Sequence, residues 1–432
     1  MKMENSLKMN KQQQKTFDFF VNNSDRNMFL SGAAGTGKSF VFKEMVKYCE
    51  DNSIPFHLVA PTAVAAVLVG GSTIHSRFGL KPSDVENVDG AINRIVTSKD
   101  RRQPWIEAQV IFIDEVSMMP ADLLSLMDQV AKVCTENEQE FMGGTRVVAA
   151  GDFLQLGPVK GAYAFESSEW KCANFANFVF SKVVRQKGDC EWIEILEALR
   201  RGDTSNASHR TALFARNVAP DPDAVQIFCT NSDVDSINIK ALDALIVKGA
   251  RKAIFKARVG RFWAKRNAKS LSASEIDSVL PPPFSVCIGA RVMGTRNYKP
   301  LIFNGQTGVV VEIGVDFVGV RFDDQTSLEP AFTIIPSLEY DHQLDLHNKI
   351  SISAIPLRLA WACTVHRIQG ATLTKATANV SKAFADGQVY TALSRCIALK
   401  NITIPSLNFA SIKASQKCLE FYKCLSNQLQ KP

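Results

Sequence analysis

The sequence is short of the features that mark a secreted, metal-stapled or membrane-spanning chain. Its ten cysteines are scattered singly, with no Cys-x-x-Cys pair, so their spacing spells neither a disulfide framework nor a zinc site. Those inside apolar runs, such as Cys229 after Gln226, Ile227 and Phe228, read as small buried hydrophobes. Histidine is scarce as well. Of six, only His342 and His347 come close together, and without cysteine partners they read as surface residues rather than ligands. The longest apolar stretch runs from Leu58 to Gly71 and is broken by Pro61, Thr62 and Gly70, too short to cross a bilayer. The opening residues to Gln14 are polar and lack the apolar core of a signal peptide. Neither a repeat of fixed period nor a low-complexity tract is present. The expectation is a cytoplasmic chain in a reducing compartment, with no membrane partner, and the compact form favours a bacterial or viral source.

What is present is ordinary in bulk and specific in detail. With 432 residues, 46% hydrophobic and 22% charged, the chain has the material for two to four compact units. A net charge of +7 suits a polyanionic partner without demanding one. The most informative run is Gly32-Ala33-Ala34-Gly35-Thr36-Gly37-Lys38-Ser39, a complete phosphate-binding loop. The apolar residues before it, 27–30, predict a strand, and residues 40–48 after it have helical periodicity. That is the context in which glycines let backbone N–H groups turn onto a polyphosphate. Lys38 would place a charge on the β and γ phosphates, and the Ser39 hydroxyl can ligate Mg²⁺. Gly32, Gly35, Thr36 and Gly37 complete the cradle, and ATP with Mg²⁺ is the expected cofactor pair.

Short apolar runs at 27–30, 56–60, 110–113 and 145–150 alternate with helix-like segments, which argues for a parallel sheet with crossover helices. A polar stretch at 81–103 interrupts the alternation as a small insertion. A helix at 192–200 and a strand at 225–229 resume it. Residues 250–270 are strongly basic and interleaved with Phe255, Phe262 and Trp263. These aromatics either stack bases or anchor a core. From 290 to 322 the runs are β-rich, with turns at Asn304-Gly305 and Val315-Asp316. The α/β pattern returns at 355.

The strand at 110–113 ends in Asp114-Glu115. Two carboxylates at the end of a buried strand are costly to leave idle. Beside a phosphate loop, Asp114 can hold Mg²⁺ and Glu115 can take a proton from the attacking water. A third strand ends in Gly151-Asp152-Phe153-Leu154-Gln155, whose amide can sense a γ-phosphate. Arg185 and Arg395 both follow apolar runs, and arginines placed on a γ-phosphate stabilise transition-state charge.

Met9 to Gln13, Gly32 to Ser39, Ala60 to Thr62, Ser72 to His75, Asp114 to Ser117, Gly151 to Val159, Val184 to Gln186, Trp361 to Gly370 and Gly387 to Arg395 follow one another in order. This series resembles the motifs of superfamily 1 helicases, and more narrowly the petite-integration-frequency (Pif) family with its phage and RecD-like relatives. The resemblance covers nearly the whole chain. It implies two RecA-like α/β domains with an ATP cleft between them, a short insertion in the first and an SH3-like β-barrel module in the second. The expected bounds are 1–180 for the first domain with its insertion at about 81–105, then 181–289 and 346–432 for the divided second domain, and 290–345 for the β-module. It further implies that Gln13 recognises adenine and that Lys38, Ser39, Asp114 and Glu115 form the Mg-ATP centre. Gln155 would couple the γ-phosphate to DNA, Arg185 and Arg395 would be arginine fingers, and Gly370 would lie near the nucleotide. Pro61, Thr62, His75, Thr364 and His366 would line a single-strand track. The implied activity is ATP-dependent 5′→3′ movement of a monomer on single-stranded DNA, unwinding tailed duplexes, with guanine quadruplexes left open as substrates. An RNA helicase or a translocase without strand separation shares every motif. Two departures are visible: Gly157 stands where the family usually has proline, and Met9 where leucine is common. Trp105, in the insertion, is either a duplex wedge or a packed side chain.

Overall fold

The computed structural model describes residues 9–186, 188–219, 224–264, 280–296, 298, 301–302, 306–323, 332–343 and 348–429. The Asn304-Gly305 turn, His347 and the basic run beyond residue 264 lie outside the described residues, as do the side chains of His342, Phe262 and Trp263. The chain forms two compact units, Met1–Cys229 with Val365–Pro432, and Thr230–Thr364.

The first unit is built on six parallel strands: β1 (Met28–Gly32), β2 (Phe56–Ala60), β3 (Ser72–Thr73), β4 (Val110–Ile113), β5 (Arg146–Ala150) and β6 (Ala176–Phe180). Their order is β3-β2-β4-β5-β1-β6. The four apolar runs expected as strands are β1, β2, β4 and β5. They are continuously apolar because both faces of the sheet are covered. Met28, Leu30, Val110, Phe112, Val148 and Ala150 pack with Val41, Phe42 and Met45 of the helix Lys38–Asp51. On the opposite face Phe29, Ile111, Ile113, Val147 and Ala149 pack with Leu123, Leu126, Met127 and Val130 of the helix Ala121–Thr135. Two strands escape the sequence pattern: β3 is two residues long, and β6 is a half-buried edge strand.

The order of the strands positions the site. Because β5 lies between β1 and β4, the phosphate loop after β1, the acidic pair after β4 and the Gly151 segment after β5 leave the sheet side by side at its C-terminal edge. That edge is where ligands of parallel sheets bind.

The expected insertion forms a short turn (Pro82–Glu86) and two helices, Val88–Val96 and Lys99–Glu107. Trp105 is only 2% exposed, its ring 4.4 Å from that of Phe78 and its indole N–H donating to the Phe78 carbonyl at 3.3 Å. The packed alternative is therefore the correct one, since a side chain so enclosed has no face to offer a duplex. The same core takes in Cys418 and Leu425 of the helix Gln416–Leu429, with Phe421 and Tyr422 packed beside them. Elsewhere in this unit the strands Val225–Phe228, Ala376–Asn379 and Ile402–Ser406 run parallel, and the helix Cys190–Arg200 covers the one expected at 192–200.

The second unit opens with the helix Asn231–Val247. Its main sheet is antiparallel, ordered Thr333–Pro336, Phe317–Phe322, Thr307–Ile313, Arg291–Gly294, Leu357–Leu359. Alternate residues such as Val310, Val318, Val320 and Phe322 form its core. Val315 sits fully exposed at the hairpin between Thr307–Ile313 and Phe317–Phe322, where the Val315-Asp316 turn was expected. Leu338–Gln343, Asn348–Ala354 and Arg258–Ala264 make a separate three-stranded sheet.

Candidate active site

A cavity of about 240 Å³ opens where the three strand ends meet. It is lined by Ala34 to Ser39, Asp114, Glu115, Gly151, Gln155, Val184, Arg185, Gly370 and Arg395, all in the first unit.

The phosphate loop is shaped by its own backbone. Gly35 and Gly37 both have left-handed φ (79° and 85°). Gly35 has a second constraint, since a Cβ there would lie 2.5 Å from the Cβ of Arg185. Its carbonyl accepts the Val184 and Arg185 N–H groups at 2.7 and 3.1 Å, which binds the 184–186 segment onto the loop. The Lys38 ammonium curls back to the carbonyls of Gly32 and Ala33 at 2.6 and 3.1 Å. Burial pushes its pKa down, and the nearby Asp152 and Glu115 oppose that. Gln13 lies against Gly37 at the head of the helix Lys11–Asn22, its side-chain oxygen accepting the Asn10 N–H at 2.9 Å in a capping box.

The acidic pair is bent sharply at the end of β4. Glu115 has φ of 51°, a left-handed conformation unusual for a side-chain-bearing residue. Its N–H donates to Asp114 Oδ1 at 2.9 Å, and its Oε2 accepts from Gln369 Nε2 at 3.0 Å. Burial, reinforced by the Glu115 charge, raises the Asp114 carboxyl to about 7. A carboxylate held that high gains from a nearby cation, which suits it to a metal.

Two arginines complete the lining. Arg395, fully buried, donates through Nη2 to Gln155 Oε1 (2.9 Å) and through Nε to the Thr391 carbonyl (3.0 Å). Arg185 donates to the Ser394 carbonyl at 3.2 Å. Gln186 donates to the carbonyls of Ser394 and Cys396, and the Trp192 indole N–H also reaches Cys396, each at 3.2 Å. The turn carrying Arg395 is thus gripped on both sides. Burial first, and the Arg395 charge second, lower Arg185 to about 10, and burial lowers Arg395 as well, with Glu115 opposing it. Among the described residues neither meets a carboxylate within ion-pair distance. Lys38, Arg185 and Arg395 therefore converge on one small space with their charge largely uncommitted, which is what a polyphosphate requires.

Beneath the floor lies a buried network. Arg200 forks onto Asp152 with bonds of 2.8 and 3.0 Å. Burial alone would raise the Asp152 carboxyl, but Arg200 holds it below the usual range. The Tyr422 hydroxyl lies 3.2 Å from Asp152 Oδ1 and 2.6 Å from Ser31 Oγ, directly before the phosphate loop. From the opposite side, the Ala34 N–H donates to the Tyr390 hydroxyl at 2.8 Å.

Of the residues singled out from sequence, the cavity gathers Gly35, Thr36, Gly37, Lys38, Ser39, Asp114, Glu115, Gln155, Arg185, Gly370 and Arg395. Gly32 supports it through its carbonyl. The strand-track candidates are elsewhere. Pro61 and Thr62 are half-buried after β2, and the Thr62 hydroxyl caps the next helix by accepting the Ala65 N–H at 3.2 Å. His75 and His366 are half-buried, with pKa values lowered by burial. Thr364 ends a strand of the second unit. Sequence reasoning missed Gln369, Gln186, Tyr390, Asp152, Arg200 and Tyr422. The first four sit inside motifs already quoted and could have been found there. Nothing in the local pattern marks Arg200 or Tyr422.

Similarity to known proteins agrees with this geometry. Residues 8–210 match the family model described as PIF1-like helicase. The chain is 30% identical over 417 residues to the human ATP-dependent DNA helicase PIF1, covering 93% of this chain and 61% of the human one. It is 28% identical to the Bdellovibrio bacteriovorus ATP-dependent DNA helicase Pif1, covering 93% of this chain and 89% of that one. Among solved structures, the Candida albicans Pif1 helicase superposes with a TM-score of 0.84 at 26% identity, over 97% of this chain and all of that one. A Bacteroides Pif1 helicase in complex with ADP-AlF3 and ssDNA gives 0.75 at 25% identity, over 98% of each. These neighbours carry the RecA-like α/β fold expected here. The chain spans about three fifths of the human protein's length, and it is across residues 8–210 that it matches the PIF1-like helicases.

Proposed function

We propose that this chain is an ATP-dependent DNA helicase that moves 5′→3′ on single-stranded DNA and separates tailed duplexes. The observation that carries the reading is the convergence of Lys38, Arg185 and Arg395 on a cavity floored by Asp114 and Glu115. Relatives named as ATP-dependent DNA helicases, and a neighbour solved with ADP-AlF3 and single-stranded DNA, support it.

The phosphate loop and Lys38 bind the polyphosphate, which releases the lysine from the Gly32 and Ala33 carbonyls. Ser39 and Asp114 fit a divalent cation, Mg²⁺ in this reading, and the raised Asp114 carboxyl would ionise on its arrival. Held there, such a cation would supply charge neutralisation to the bound polyphosphate. Gln13 reads the base. Glu115 takes the proton of the attacking water, while Arg185 and Arg395 face the charge that develops on the transferred group. Gln155, already bonded to Arg395, passes the state of the γ-phosphate to the residues that follow the strand, namely Pro61, Thr62, His75, Thr364 and His366. The division into RecA-like domains at 1–180 and at 181–289 with 346–432, around a β-module at 290–345, belongs to the same proposal, as does a monomeric working form.

The test is ATP-dependent strand displacement on duplexes with either a 5′ or a 3′ single-stranded tail, beside a Lys38→Ala control. Unwinding from the 5′ tail alone is expected. Unwinding from the 3′ tail alone would overturn the polarity. DNA-stimulated ATP hydrolysis without unwinding would leave a translocase, and stimulation by RNA alone would replace the substrate.

A further inference from the structure

The general base of the proposed reaction is held by a residue to which no role has yet been given. Gln369 is 1% exposed and donates through Nε2 to Glu115 Oε2 at 3.0 Å. Among the described residues its own Oε1 has no hydrogen-bond partner, although it is buried. That asymmetry is informative. A side chain present only to fill space would be apolar, and an amide belonging to a structural network would have both ends engaged, because a buried polar atom left open is destabilising. Here the one bond made is to the carboxylate.

The surroundings leave Glu115 dependent on that bond. Its backbone is in the left-handed region, and its N–H is committed to Asp114. Gly370, immediately after Gln369, has φ of 83°, and a Cβ there would meet Leu68 at 2.7 Å and lie 3.7 Å from Glu115 Oε1, so the segment carrying Gln369 runs beside the same carboxylate. No other side chain among the described residues bonds the Glu115 carboxylate.

We propose that Gln369 is a positioning residue for ATP hydrolysis, acting through Glu115. This rests on the reading of the cavity as an ATPase site. In the step concerned, the water oxygen bonds to the γ phosphorus and the bond to the β,γ-bridging oxygen breaks. ADP and phosphate leave, and the water's proton passes to Glu115. Nε2 of Gln369 holds one carboxylate oxygen so that the other faces the water. The contribution is to kcat rather than to nucleotide affinity, since Gln369 touches Glu115 and not the phosphate loop.

The test compares Gln369→Met, which keeps the volume and loses both polar ends, with Gln369→Ala, Glu115→Gln and the double variant Glu115→Gln with Gln369→Met. Steady-state ATPase with saturating single-stranded DNA, affinity for a fluorescent ATP analogue and thermal melting are measured on each. Both Gln369 variants should lose roughly 10- to 100-fold in kcat, less than the whole effect of a general base, with KM and analogue affinity within about twofold. In the Glu115→Gln background the methionine should cost nothing further. Wild-type kcat in Gln369→Met would overturn the proposal by making the side chain a filler. So would a loss of affinity as large as the loss of rate, or a full further loss in the double variant. Absence of ATP hydrolysis in the unsubstituted chain would overturn the underlying reading, and this inference with it. That result is distinguishable because every variant would then match the parent.

Discussion

The phosphate-loop cavity and the residues expected to follow a DNA strand are finished to different degrees by the protein itself. In the cavity Lys38, Gln155 and Arg395 already have hydrogen-bond partners, and each support is buried. Along the track, His75 and His366 are half-buried imidazoles with no hydrogen-bond partner among the described residues, and Thr62 spends its hydroxyl on a helix cap. The contrast is one of ligand chemistry. A polyphosphate is met by charge, and the fold has to supply that charge because bringing a cation out of water is expensive. The residues expected on the track are proline, threonine and half-buried histidine, a set that suits sugar and base surfaces better than phosphate charge.

The largest effect that would test this comparison is in the cavity. Lys38→Ala should abolish measurable ATP turnover while binding of single-stranded DNA by fluorescence anisotropy changes less than about twofold; a parallel loss of DNA binding would mean the two regions are not separable. Arg395→Ala should retain nucleotide binding and lose on the order of 10³ in kcat, as expected of an arginine finger, and full turnover would remove Arg395 from the site. Beneath the floor, Arg200→Ala leaves the Asp152 carboxylate buried and unpaired and should cost about 3–5 kcal/mol in urea unfolding. On the track, His75→Ala and His366→Ala should each weaken single-strand binding by about 1 kcal/mol, near the low end for a base contact, with ATPase in the absence of DNA unchanged. The smallest effect expected is a pH dependence. His57, His75 and His366 all have folded pKa values lowered from 6.5, in each case first by burial. The unfolded chain therefore binds protons that the folded chain refuses, so stability is full above about pH 6.5 and falls as the pH drops below it. A melting temperature that stayed flat from pH 7 to pH 5 would contradict this.

Legibility from sequence divides along a different line. The phosphate loop, Asp114 and Glu115 were readable because each lies within a few residues of the strand that positions it, so periodicity and glycine spacing carry the information. The supports were not. Gln369 reaches Glu115 across 254 residues and Tyr422 reaches Ser31 across 391. No local pattern encodes such pairings. The edge strand β6 escaped because only part of it is buried, so it never shows a long apolar run. The family departure at Gly157 acquires a local reason: a Cβ there would approach the Tyr163 ring to 2.7 Å, so that ring occupies the space a proline would need. Trp105 could be read from sequence either as a wedge or as a packed side chain, and its burial makes it core.

The span between Ser31 and Tyr422 has a consequence for how the molecule comes into being. A ribosome makes the phosphate loop early and delivers Gln369, Tyr390, Arg395 and Tyr422 only after hundreds of further residues. Until then the loop has its glycines, its lysine and Arg185, but neither the tyrosine hydroxyls beside it nor Arg395. A nascent chain stalled before residue 390 should therefore lack both part of the sheet's core and the finished site, and competence for nucleotide turnover should appear only as the last of these side chains emerges.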